Sequence, residues 1–299
     1  MKHMVNELKL VFPPLSNREA FWLSEDEGVK KQVSESKLYM LGQREEAFFD
    51  EDSFVATDKG ISFRLKIGDY LSGEIIFKFT ESIKNIENID EIELGSKMIR
   101  FKFHDGTEPL WLTPNSIIWH ISHESSIFDV IDELDLSKFT DYKLLYVGIS
   151  KRNDSLTRLF SNSHKARTDI LSDLSRINHN SEITDELTVF YFDIDSLNIN
   201  TFDPNMDIQS FLSYQQPEKE KIVSDAEKAI VSVMKPPYNR ELYNNYPKSR
   251  DGLEDENMRG YGFSIKENYT FYTDTSILRG KVYDEANAII IRDEKVTLI

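Results

Sequence analysis

With 299 residues, 39% hydrophobic and 29% charged, the chain can bury a core and is long enough for about two domains. The absence of cysteine excludes disulfides and Cys-ligated zinc and fits a reducing, cytoplasmic setting. No segment approaches the ~20 apolar residues of a membrane span, residues 1–10 do not read as a signal peptide, and a net charge of −16 argues against a general nucleic-acid coat protein.

After an irregular start, residues 1–114 read as strands and turns, a small β-rich domain. Residues 61–66 alternate apolar and polar side chains, as a half-buried strand does. Residues 74–79 and 98–103 are further strands; Asp105-Gly106 supplies a turn, and 110–112 returns. Pro114 is the boundary to a second domain, 115–249. There 116–121 reads as a strand, a helical stretch lies near 127–134, and 143–147 is a second strand ending at Gly148. Leu156, Leu159, Ala166, Ile170, Leu174 and Ile177 then recur at helical spacing. Residues 187–192 form a strongly β-prone third strand. Ser224 opens a helix that Pro236-Pro237 stops. A tail of short strands, 250–299, completes the chain as a β-rich extension.

Charge singles out one stretch. Residues 141–180 carry seven Lys/Arg and four Asp/Glu, net +3, while the segments on either side are strongly acidic. Lys151, Arg152, Lys165 and Arg167 make this island a candidate phosphate-facing patch; the plainer reading is a solvated helix face. The acidic β-rich flanks are candidate surfaces for a protein partner.

Three separated motifs line up in this region. A strand ends in Tyr146-Val147-Gly148; Arg158 follows on a helix; Glu227 stands twelve residues before Asn239 in a Pro-x-Tyr-Asn ending. In this order they resemble the GIY-YIG nuclease superfamily, over roughly residues 116–247. The resemblance implies an α+β fold. Its centre is an α/β nuclease module, a small, mainly antiparallel sheet with flanking helices, set between the β-rich terminal regions. It implies hydrolysis of nucleic-acid phosphodiesters, DNA before RNA, with Mg²⁺ or Mn²⁺ held by Glu227. Arg158 would contact the phosphate, Tyr146 would orient the phosphate or nucleophile, and Asn239 would order the site. The chemistry suits these residue types. A hard cation takes carboxylate oxygen, a guanidinium fork matches phosphate, and a phenol can position water. His164, near the start of a second helical segment, is a candidate phosphate contact or proton shuttle.

The family's first motif, Gly-Ile-Tyr, does not occur a short distance before Tyr146. Trp119 stands in its place on the expected strand 116–121. Tyr142 lies four residues before Tyr146, on the same face of a continuous strand, and is the hydroxyl that could substitute. Two alternatives stay open. Ser224-Asp225-Ala226-Glu227 is also a capping box, which would make Glu227 a helix cap. The module could also be a non-catalytic nucleic-acid- or partner-binding domain.

Overall fold

The computed structural model describes all residues except 1, 58–59, 80–82, 84–85, 108, 151–154, 161–163, 180, 201–215, 250, 257 and 282–285. The fold is mixed α/β, with about 28% helix and 37% strand, consistent with an α+β class. No described helix is long and apolar enough to cross a membrane.

The principal sheet takes strands from both ends of the chain. They are β1 (Lys2–Leu10), β2 (Leu38–Gln43), β3 (Asp141–Ile149), β4 (Leu187–Asn200), β5 (Gly260–Ile265), β6 (Thr270–Tyr272), β7 (Ile277–Arg279), β8 (Ala288–Arg292) and β9 (Lys295–Leu298). Their spatial order is β7-β6-β3-β2-β4-β1-β5-β8-β9, and the two-residue strand Leu15–Ser16 adds to β4. Neighbours run antiparallel except at β3·β6 and β1·β5, which are parallel. Central β2 is buried on both faces, as its Leu-Tyr-Met-Leu run requires. Leu38 and Met40 pack under the long helix Lys219–Met234, on the face shared with Phe190 and Phe192. Tyr39 and Leu41 pack on the opposite face, against the small helices that carry Val33, Leu159 and Ile170.

Between β2 and β3 the chain leaves the sheet for residues 44–140. These build three small antiparallel sheets around their own aromatic core, which includes Phe63, Phe77, Phe101 and Phe139. The segment leaves and returns in register, since Gln43 is paired with Lys143. Pro114 opens a helix whose Ile117 and Ile118 belong to the inserted core, and the tail's strands join the principal sheet.

Several local expectations change. The chain does not begin irregularly: Lys2–Leu10 is a nine-residue strand of the principal sheet. Residues 116–121 are not a strand but part of the helix Pro114–Ser122. Thr113 caps it through a reciprocal bond with Ser116, and Pro114 fills its first turn, where no N–H is needed. The stretch near 127–134 contains the strand Phe128–Val130, paired with Ile75–Lys78, rather than a helix. The long helix begins at Lys219, five residues before Ser224. It ends at Lys235 in the left-handed region (φ 48°), ahead of the two prolines.

Candidate active site

The site grows from a defect in the central strand. β3 opposes β2 regularly until Leu144, and its register then slips by one residue before Tyr146. Such a bulge puts two consecutive side chains on one face. Tyr142 and Leu144 point into the core beneath the long helix, while Leu145 and Tyr146 lie on the other face. Tyr142 is thus not the substitute hydroxyl. It is buried among Phe190, Tyr269 and Phe271, and its hydroxyl accepts a 2.6 Å bond from Arg44 Nε. The same-face expectation failed because the strand is not regular.

The hydroxyl absent from the vicinity of Tyr146 in the sequence comes from 107 positions upstream. Tyr39, on β2, lies opposite Gly148 across the sheet, its ring 6.1 Å from that of Tyr146. Gly148 is needed for space. A Cβ there would sit 2.7 Å from the Tyr39 hydroxyl and 2.6 Å from the Tyr146 ring. The glycine after Tyr-Val therefore clears room for both phenols, rather than ending a strand that in fact runs on to Ile149. Trp119, by contrast, sits on the inserted helix Pro114–Ser122 and is not among the residues that line this cleft.

His164 completes the row. It caps the helix Lys165–Asp173, with Nδ1 accepting the Arg167 backbone N–H at 3.1 Å. An imidazole accepting at Nδ1 carries its proton on Nε2. Nε2 lies 2.8 Å from the Tyr39 hydroxyl, so the ring donates and Tyr39 accepts. Burial, then the positive charges of Arg158 and Arg167, push His164 down to about 4, so it is neutral at pH 7. Burial first, and Tyr146 next, hold Tyr39 far above the ordinary tyrosine value. Burial and the Glu227 carboxylate also raise Tyr146, against a hydrogen bond from Tyr39 and the charge of Arg158 that lower it. His164 Nε2 thus donates to Tyr39, whose ring packs beside that of Tyr146. Tyr39 is 1% exposed, so Tyr146 is the hydroxyl that meets solvent.

That hydroxyl opens on a cleft of about 370 Å³ lined also by Arg158, His164, Lys165, Glu227 and Asn239. Glu227 lies in the middle of its helix, at the border of the buried stripe Val223, Ala226 and Ile230. The capping-box reading of Glu227 is excluded. The helix start is elsewhere, and the Ser224 hydroxyl instead donates to Asp251. The Tyr243 hydroxyl stands 3.5 Å from Glu227 Oε2.

Asn239 has a structural task. Among the described residues, β3 has no strand on its outer side beyond Lys143, because β6 pairs only with residues 141–143. A bare edge leaves backbone groups wanting partners. Tyr238 N–H donates to Leu145 O, and the Asn239 amide takes both groups of Val147: Oδ1 accepts its N–H at 2.9 Å, and Nδ2 donates to its carbonyl at 2.8 Å. The side chain thus acts as a one-residue strand and ties the end of the Glu227 helix to the Tyr146 strand. The tail secures the same helix end: Thr273 and Thr275 donate to Met234 O, and Ser276 donates to Val233 O.

The basic island divides. Lys151 and Arg152 lie outside the described residues. Lys165 is exposed and lines the cleft. Arg167 is turned away from it: its Nε donates to Asn17 Oδ1 at 2.7 Å and its guanidinium lies 4.3 Å over the Phe160 ring.

Among the described residues, no three His, Asp or Glu side chains gather as a metal cage. The carboxylates that line the open cleft are half-buried Glu227 and exposed Glu241. That suits Mg²⁺ or Mn²⁺, which commonly keep several waters and rely on one or two carboxylates plus substrate phosphate. The sequence did contain a signal for Tyr39, the run Leu38-Tyr39-Met40-Leu41-Gly42, but it lies beyond any short spacing to Tyr146. No protein-family model, curated protein or solved structure matches this chain.

Proposed function

We propose that the cleft hydrolyses phosphodiester bonds of nucleic acid with Mg²⁺ or Mn²⁺ held at Glu227, in a module similar to the GIY-YIG nucleases. One observation carries the reading: His164, bonded to Tyr39, and Tyr146 beside it meet at a cleft that also presents Arg158 and Glu227. A buried row of this kind costs desolvation that packing alone does not require.

Arg158 offers a planar fork of donors to a non-bridging phosphate oxygen. Tyr146 orients the attacking water and relays its proton to solvent as the new P–O bond forms and the ester P–O bond to the leaving oxygen breaks. A divalent ion at Glu227 supplies positive charge against the anionic phosphate and the leaving oxygen. The charge of Arg158 favours the phenolate of Tyr146, while burial and the Glu227 carboxylate oppose it. His164 bonds the Tyr39 hydroxyl and fixes that ring beside Tyr146. Asn239 holds strand and helix at a fixed separation, so the phenol and the carboxylate face one substrate.

The test is cleavage of end-labelled single- and double-stranded DNA and RNA with Mg²⁺, with Mn²⁺ and with EDTA, beginning with DNA. Wild-type protein should cut only with metal, and Glu227→Gln should abolish cutting while its circular dichroism spectrum is unchanged. Metal-dependent cutting by the Gln variant would remove Glu227 from the chemistry. A wild type that binds but never cuts would replace the enzyme with a non-catalytic binding module.

A further inference from the structure

Exposed aromatic side chains concentrate at one place. Trp22 is 62% and Phe21 58% exposed, the two highest values for any aromatic in the described chain; Tyr272 follows at 39%. Both end the six-residue helix Asn17–Trp22, whose Ala20 is buried in the core beside the candidate site. Phe21 leans on Phe160, ring centroids 6.4 Å apart, and Arg167 covers Phe160 in turn. Folding does not bury these two rings, so their apolar faces remain available for an outside partner.

We propose that Phe21, backed by Phe160, and Trp22 beside it form a shelf on which unpaired nucleobases stack, so that the substrate has a single-stranded segment next to the cleaved bond. The inference rests on the nuclease reading of the adjoining cleft. Two features select this occupant. The first is continuity: Phe160 stands two residues after Arg158 on one helix, and Arg158 lines the cleft. Arg167, bonded to Asn17 of the shelf helix, is on the helix that His164 caps. The shelf is therefore fastened to both sides of the site. The second is charge: Arg158 and Lys165 line the cleft and Arg167 covers Phe160, in a chain whose net charge is −16. Bases stack on any aromatic face, whereas a paired base keeps its faces inside the duplex. A shelf beside a phosphate-binding cleft therefore selects unpaired strands by shape and reads little sequence.

The experiment is equilibrium binding in EDTA, which prevents cleavage, by anisotropy of fluorescein-labelled oligonucleotides. The probes are a mixed-sequence single strand and a blunt duplex of it, against full-length wild type and Phe21→Ala/Trp22→Ala. Both replaced side chains are exposed, so the fold should persist, as circular dichroism checks. Stacking is worth ~1–3 kcal/mol per base, so single-strand affinity should fall roughly 5- to 150-fold, and duplex affinity far less. In wild type the single strand should also quench tryptophan emission, and Trp22→Phe should remove that quenching. Equal losses on both probes, no loss on either, or quenching that survives Trp22→Phe would overturn the proposal. The two readings fail separately. Shelf-dependent binding by a protein that never cuts spares the shelf and sinks the nuclease. Metal-dependent cutting with shelf-independent binding does the reverse.

Discussion

The inserted segment 44–140 and the principal sheet are both rich in strands, yet they are held together differently. The insertion's core draws only on residues 47–139, while each face of the principal sheet collects side chains from the first forty residues, the middle and beyond. The insertion supplies none of the phenol, imidazole or carboxylate groups of the site. The principal sheet supplies Tyr39 and Tyr146 from neighbouring strands, and the helices on its two faces supply His164 and Glu227. The geometry of the candidate site is a property of sheet register, and a large excursion at a strand end leaves that register intact.

The sharpest way to break this contrast is a pair of single substitutions. Tyr146→Phe should lower metal-dependent cleavage ~10²–10⁴-fold, the usual scale of proton transfer by a positioned side chain, with little change in urea midpoint. Phe101→Ala, which empties the middle of the inserted core against Phe77 and Phe79, should cost about 3–5 kcal/mol of stability. Where that variant is still folded, its cleavage rate should match wild type. A rate that falls with Phe101 would show that the insertion shapes the site.

A second measurement separates the imidazole's electrical role from its capping role. Folded His164 stays neutral until pH nears 4, whereas unfolded histidine binds a proton near 6.5. Between those values the unfolded state holds more protons, so stability falls as pH drops through this window. The full difference is about 3 kcal/mol. His164→Asn keeps a capping side chain but cannot titrate. Wild type should therefore lose up to that amount more than the variant between pH 7 and 4 in urea titrations. Parallel curves for the two proteins would mean that His164 is not held neutral.

The smallest effect concerns the strand edge. Asn239→Asp keeps the acceptor for Val147 N–H but turns a donor into a second oxygen against the Val147 carbonyl. A loss of about 1–3 kcal/mol is expected, with faster hydrogen exchange at the Val147 amide. Unchanged exchange there would remove Asn239 from the edge.

Much of the secondary structure was legible because periodicity is local. The strands 141–149, 187–200, 260–265 and 288–292 and the helices after Gly148 follow hydrophobic patterns that any chain of that composition would show. Tyr146, Arg158, Glu227 and Asn239 could be singled out because they sit in short motifs. Other features depend on distant partners. The bulge that sends Tyr142 one way and Tyr146 the other is set by the β2 register, and an even alternation of side chains cannot reveal it. The run 116–121 looks β-prone through Ile117, Ile118 and Trp119, yet the cap at Thr113 with Pro114 decides for helix. Tyr39 was hidden by the length of chain between it and its neighbour, and Arg167 by the fact that a sequence does not say whether a cation faces solvent or a phenyl ring.

The Gln43–Lys143 pairing also bears on how the chain folds. Bringing Tyr39 beside Tyr146 across an open loop of about a hundred residues is a slow, long-range closure. If the insertion first condenses on its own core, its entry and exit points are brought close, and β2 and β3 meet as the arms of a short hairpin. On the logarithmic cost of loop closure that shortening is worth roughly 3 kcal/mol. The segment that lends no side chain to the Tyr39–Tyr146 pair thereby becomes the one whose early folding governs the rate at which the two phenols find each other.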